Sequence, residues 1–88
     1  MSGETATVTV DAGAVWPDDA LEEEGVVSNW FVRPGSAVDA GDVLCEVQVE
    51  KVAVEVAAPV GGVVADRLVA ERDPITSETP LLAIDESG

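Results

Sequence analysis

Few side chains in this 88-residue chain can do chemistry. There is no histidine and no tyrosine, one cysteine, Cys45, and one lysine, Lys51. The other bases are Arg33, Arg67 and Arg72, set against 18 acids. Histidine acid–base chemistry and histidine metal ligation are therefore excluded. Cys45 alone can close no intramolecular disulfide and form no Cys-x-x-Cys site. The run Glu22-Glu23-Glu24 reads as a solvated face, because carboxylates without a shaped loop hold hard cations weakly; no metal is expected. Lys51 stands out as the single side-chain primary amine in a chain that uses arginine for its remaining cations. An isolated, exposed amine is suited to enzymatic acylation, where a ligase must enclose it.

A hairpin is what would present that amine. With Glu50-Lys51 as a two-residue turn, Val49 faces Val52, Val47 faces Val54 and Cys45 faces Val56, all on one side as a period of two requires. Gln48–Ala53 and Glu46–Glu55 fall on the other. One face is apolar and one polar, which fixes the register and puts Lys51 at the tip. Cys45 then reads as core and not as a nucleophile. Tight hairpin turns favour Asn-Gly or Asp-Gly, since primed turns need positive φ. A Glu-Lys turn is expected to be of another type or to hold strain.

The remaining elements follow the same period. Strands are expected over Thr5–Val10, Val26–Val32, Val43–Val49, Val52–Ala57, Val63–Val69 and Leu81–Ile84, with Asp11–Glu24 mainly loop. Pro34-Gly35, Gly41 and Gly61-Gly62 mark turns. Short, closely spaced strands indicate an all-β sandwich or barrel, and the length suits a single domain over 1–88 with its core at about 5–85. A shift of 37 residues lays Gly25-Val26-Val27 on Gly62-Val63-Val64. Without a gap it also lays Phe31 on Leu68, Val38 on Ile75, Leu44 on Leu81 and Val47 on Ile84. That register predicts two similar β units packed face to face about a pseudo-twofold. The apolar fraction of 47% argues against a disordered acidic tail, and no apolar run is long enough to span a bilayer. A net charge of −14 excludes nucleic acid and anionic membrane as partners. With no basic, apolar leader near Met1, the expected location is cytoplasmic. The acid excess with almost no lysine also suggests a halophilic host, where high salt screens self-repulsion.

The ordered set Gly25-Val26-Val27, Val32-Arg33-Pro34-Gly35, Ala40-Gly41-Asp42, Val49-Glu50-Lys51-Val52, Glu55-Val56-Ala57-Ala58-Pro59 and Gly62-Val63-Val64 resembles a lipoyl domain. Such domains belong to the acyltransferase components of 2-oxoacid dehydrogenase complexes. The resemblance covers about Thr5 to Asp85. It implies a flattened β-barrel, the barrel-sandwich hybrid, of two four-stranded sheets with pseudo-twofold symmetry. It further implies lipoate attached covalently to Lys51. The family's usual Glu-Thr-Asp-Lys-Ala is here Gln48-Val49-Glu50-Lys51-Val52: the acid before the lysine is kept and Gln48 departs. Arg72 and Glu78 stand where the family often has glycine.

The implied role is that of a carrier, not a catalyst. Its partners would be a lipoate ligase or lipoyl/octanoyl transferase, a thiamine-dependent 2-oxoacid decarboxylase, an acyltransferase core and dihydrolipoyl dehydrogenase. Recognition would fall on Glu50, Val52 and Gln48, and on Trp16 and Asp18 of the loop that lies near the lysine in this family. Trp16 is equally suited to capping the core, and Trp30, whose repeat equivalent is Arg67, to covering a sheet edge. Lacking a subunit-binding segment, linker or acyltransferase domain, the chain would be free-standing or the first domain of a larger subunit. Two alternatives remain. One is a biotinyl carrier for carboxyl transfer, although Glu50 and Val52 replace the methionines that flank its lysine. The other is an unmodified structural or adaptor domain of the same fold.

Overall fold

The computed structural model describes residues 6–86. Eight antiparallel strands form two four-stranded sheets. They are β1 (Thr7–Asp11), β2 (Gly25–Trp30), β3 (Ala37–Val38), β4 (Val43–Val49), β5 (Val52–Ala57), β6 (Gly62–Arg67), β7 (Pro74–Ile75) and β8 (Pro80–Glu86). One sheet runs β1-β8-β6-β3 and the other β5-β4-β2-β7. The two ladders share no strand, so the architecture is a sandwich and not a closed barrel. The expected strand start at Thr5 lies outside the described residues.

The 37-residue repeat is visible in the pairing. β2 maps to β6, β3 to β7 and β4 to β8, but the units are not one sheet each. β7, from the second repeat, pairs with β2, and β3, from the first, pairs with β6. Each unit thus lends its short strand to the other's sheet, and the halves interlock. These two-residue strands were not among the sequence expectations, because a period of two needs several residues to show itself.

The core forms where the repeats meet. Val27 and Val64, Leu44 and Leu81, Cys45 and Leu82, Val47 and Ile84, and Val38 and Ile75 are five equivalent pairs, and all ten residues are buried. Strict alternation cannot bury both Leu44 and Cys45, or both Leu81 and Leu82. A register shift between Val43 and Cys45 in β4, and its counterpart between Val10 and Asp11 opposite β8, makes this possible. Each extra residue in a strand turns the chain by one position and lets two neighbours face inward. A second pair of shifts lies at Val27/Asn29 and Val64/Asp66. Beyond it β2 ends at Trp30 and β6 at Arg67, short of the expected Val32 and Val69, and Phe31 and Leu68 are left exposed.

Candidate functional site

The β4–β5 hairpin has the register that its alternation demands: Val49↔Val52, Gln48↔Ala53, Val47↔Val54, Glu46↔Glu55 and Cys45↔Val56. Val49, Val47, Cys45 and Val56 are buried, which anchors the stem to the core. Cys45 is fully enclosed, and burial pushes its thiol up to about 12. It is therefore a protonated core residue at neutral pH. Glu46 and Glu55 do face each other, but Glu46 is drawn toward β2. Its Oε1 accepts from Ser28 Oγ at 3.1 Å and from Asn29 Nδ2 at 3.4 Å.

The strain expected of a Glu-Lys turn sits on one residue. Glu50 has φ 57°, a left-handed conformation that costs a non-glycine residue about 1–2 kcal/mol. Lys51 itself needs no such conformation and projects from the tip, exposed. Beneath the turn, β2 begins at Gly25, paired to Val49. A Cβ at Gly25 would stand 2.7 Å from the Gln48 carbonyl oxygen and 3.0 Å from the Trp16 ring. Glycine is required there because hairpin backbone and indole both close on that point.

The loop between β1 and β2 forms the second wall. Asp11 caps a short 3-10 turn, Ala12–Ala14, by accepting from Gly13 N at 3.0 Å; a second turn spans Asp18–Ala20. Trp16 is 4% exposed, and its Nε1 donates to the Ala20 carbonyl at 2.7 Å. Its ring therefore closes one end of the core and holds the second turn against the hairpin, and it offers no face to a partner. A cleft of about 280 Å³ opens between that turn and the tip. Pro17, Asp19, Ala20 and Glu23 line it from the loop; Val49, Glu50, Lys51 and Val52 line it from the hairpin. The Glu23 carboxyl meets that of Glu50, and this hydrogen bond, reinforced by like charge, holds Glu23 above the usual carboxylate range.

Of the residues marked for recognition, Glu50 and Val52 lie in the cleft beside Lys51. Gln48 is exposed two residues from Glu50, on the outer face of β4. Asp18 is exposed on the second turn, but its neighbour Asp19 is the one that lines the cleft. Val52 shares the apolar face of the hairpin by alternation yet remains 46% exposed. Sequence reasoning missed Glu23: its separation from Glu50 leaves no local pattern, and the acidic run around it masks it. Trp30 covers a sheet edge as expected; its Nε1 donates to Val69 O at 3.1 Å and the Arg67 guanidinium lies 5.5 Å from its ring centre. Among the described residues, no cluster of three or more metal-ligating side chains occurs, and no helix is long and apolar enough to cross a membrane.

The site is thus an exposed amine at the tip of the β4–β5 hairpin, on a two-sheet sandwich of pseudo-twofold symmetry. The biotin/lipoyl family model, described as biotin-requiring enzyme, matches residues 18–84, and the chain belongs to that family. It is 40% identical over 65 residues to the dihydrolipoyllysine-residue acetyltransferase component of the pyruvate dehydrogenase complex of Bacillus subtilis, covering 74% of this chain and 15% of that protein. It is 34% identical over 65 residues to the probable mitochondrial dihydrolipoyllysine-residue succinyltransferase component of the 2-oxoglutarate dehydrogenase complex of Schizosaccharomyces pombe, covering 74% and 14%. The chain thus spans about one seventh of the length of these relatives. The solution structure of the lipoyl domain of the 2-oxoglutarate dehydrogenase complex from Azotobacter vinelandii superposes with a TM-score of 0.69 at 30% identity, over 90% of this chain and 99% of that one.

Proposed function

We propose that this chain is a lipoyl carrier domain that presents lipoate on Lys51 to the active sites of a 2-oxoacid dehydrogenase complex. One observation carries the reading above all: the chain's only lysine stands at the tip of a hairpin whose stem is fixed in the core. Bound there, lipoate would supply a reversible disulfide–dithiol couple that can carry an acyl group as a thioester. The protein's part is presentation. Val47, Val49 and Val56 hold the stem still, so that one flexible arm on a rigid base raises the local concentration of its end at each partner site.

The partners in this reading are the enzyme that attaches lipoate, a thiamine-dependent decarboxylase, an acyltransferase core and a flavin dehydrogenase. Glu50, Val52, Gln48 and Asp18 are the side chains they would read around Lys51, and Trp16 contributes only by holding the loop in place. The setting is a cytoplasm of high salt, where a net charge of −14 is screened over about 3 Å at 1 M. Full stability in dilute buffer would argue against such a host.

Intact mass of protein from its native host tests the central claim. A lipoyl increment that disappears in Lys51→Arg is the expected result. A biotinyl increment would establish the alternative that the family description allows, carboxyl transfer. A lysine consistently unmodified in the native protein would sink both.

A further inference from the structure

We propose that the waist of the molecule carries a second recognition site, a pocket that docks an acidic segment of a partner protein through its carboxylates and an adjoining apolar side chain. The pocket, of about 350 Å³, is lined by Trp30, Phe31, Val32, Arg33 and Arg67. Two of the chain's four bases therefore meet in one concavity, and no carboxylate lines it, although the chain holds 18 acids. The cleft beside Lys51 has the opposite character, with Asp19, Glu23 and Glu50 on its walls. A chain of net charge −14 repels anionic partners over most of its surface, so a pocket of inverted sign singles out where an acidic segment can settle.

The Arg67 guanidinium is held in place before anything binds. It lies 5.5 Å from the centre of the Trp30 ring, and its Nη1 donates to the Val32 carbonyl at 3.4 Å. Trp30 is fixed in turn by the bond from its Nε1 to the Val69 carbonyl at 3.1 Å. Arginine carries its N–H donors in a planar fork, so the bond to Val32 leaves others for a carboxylate. Holding the fork in advance lowers the ordering cost of that contact. Glu71 reaches the same strand, but its Oε2 accepts from Trp30 N at 2.9 Å and it does not line the pocket. Arg33, exposed, adds a second charge from the segment after β2. Phe31 supplies the apolar part: at 57% it is the most exposed large apolar side chain among the described residues. Arginine beside aromatic rings is the composition of an interface anchor. β2 runs from Gly25, beneath the Lys51 turn, to Trp30, which puts the pocket about 15 Å along the strand from the tip. A partner docked there leaves Lys51 uncovered. That use of the pocket rests on the lipoyl carrier reading, whereas the binding itself does not.

Amide and indole shifts of the whole chain, titrated with the peptide Asp-Phe-Glu-Glu-Leu-Asp, test the pocket. In about 0.15 M salt, repulsion from the remaining surface is screened beyond about 8 Å. The Trp30 indole N–H and the amides of Phe31, Val32, Arg33 and Arg67 should move, while the indole of buried Trp16 and the amides of Glu50, Lys51 and Val52 stay. Arg33→Gln and Arg67→Gln should each weaken binding about ten-fold, the loss of one charge-assisted bond. Arg33→Gln leaves the stack of Arg67 on Trp30 intact, so its effect separates binding from folding. Lys51→Arg should bind as wild type does, so a failure of the carrier reading would not reach this result. A peptide with Asn and Gln in place of its acids that binds equally well would overturn the proposal, as would arginine variants that bind like wild type. Equal movement of the same resonances by inorganic phosphate would overturn it in favour of a small-anion site. Trp30 shifts that depend on protein concentration without peptide would do so by making a second copy of the chain the occupant.

Discussion

The two repeats make the same bonds at the waist of the molecule with different residues. Phe31 N donates to Leu44 O at 2.9 Å, and Leu68 N to Leu81 O at 2.8 Å. Gly35 N reaches Val64 O at 2.8 Å, and Arg72 N reaches Val27 O at 2.9 Å. Asp39 N is satisfied by Asp42 Oδ2 and Thr76 N by Thr79 Oγ1, both at 2.8 Å. Even the Trp30 indole and the Arg67 guanidinium reach equivalent carbonyls, Val69 O and Val32 O. Backbone geometry is what repeats, and residue type is free wherever that geometry can be met. The halves part most plainly at one end. β4 continues through Glu50-Lys51 into its neighbour β5, whereas the neighbour of β8 is β1, from the other end of the chain. A tight turn with a presented side chain therefore exists at one end only.

The strongest way to break the equivalence is in the core. Leu44 and Leu81 are both fully buried and occupy matching bulges. Leu44→Ala and Leu81→Ala should each cost about 3 kcal/mol, and urea denaturation should find them within about 1 kcal/mol of each other. A several-fold difference would mean that the repeat is one of pattern and not of packing. A slightly smaller effect is expected at the two glycines that begin β2 and β6. At Gly62 a Cβ would overlap the Asp85 carbonyl, while at Gly25 the closest contact is the Gln48 carbonyl oxygen at 2.7 Å. Gly62→Ala should cost about 2–3 kcal/mol and Gly25→Ala about 1–2 kcal/mol, with the order set by which backbone has less room.

The turns sharpen the comparison further. Gly35 has φ 93°, and its equivalent Arg72 holds φ 74° without the freedom of glycine. Gly35→Ala meets nothing within 4 Å, so its cost of about 1 kcal/mol is purely conformational. Arg72→Gly should run the other way, a gain of under about 0.5 kcal/mol after the greater freedom of the unfolded chain offsets part of the relief. Glu50→Gly, at φ 57°, should behave like Arg72→Gly in thermal denaturation. The second family glycine position behaves differently. Gly41 has φ 95°, but Glu78 is not among the positive-φ residues, and its turn closes through Thr76 and Thr79.

How much of this was legible in the sequence depended on the range of the interactions. The hairpin register was readable because each strand of five or more residues carries its own alternation, and the repeat because it is a register shared by many apolar positions. The bulges were not, since Leu44-Cys45 and Leu81-Leu82 look like breaks in a pattern until the partner strand shows the extra residue. Nor was the strand exchange at β3 and β7, which leaves two residues to read. At the site, the alternation placed Lys51 at the tip of its hairpin, but the wall opposite depends on Trp16 folding inward and on Glu23 meeting Glu50. Both are contacts between segments far apart in the chain, and neither residue type announces them.

That last contact has no counterpart in the other half, where Val60 stands in the place of Glu23. The Glu50 carboxyl raises the affinity of Glu23 for its proton, first by hydrogen bonding and then by like charge, with lesser contributions from desolvation and from Glu22. In the unfolded chain the two carboxyls separate and Glu23 titrates normally. The native state therefore binds more protons just above the ordinary carboxylate range, and stability falls as pH rises through that window. At neutral pH the repulsion persists among Glu22, Glu23, Glu50 and Asp19, with Lys51 as the one cation in the cleft. Glu23→Gln keeps a donor for Glu50 and removes the second charge. It should flatten this falling limb and leave the variant slightly more stable than wild type at pH 7, by an amount that shrinks in 1 M salt as screening shortens to about 3 Å. Glu22→Gln, which removes the smallest of these contributions and leaves the Glu23–Glu50 contact in place, should change the pH profile far less. Denaturation midpoints of the three proteins from pH 4 to pH 8 measure both. A falling limb that survives in Glu23→Gln would assign it to other carboxylates and detach the loop from the tip.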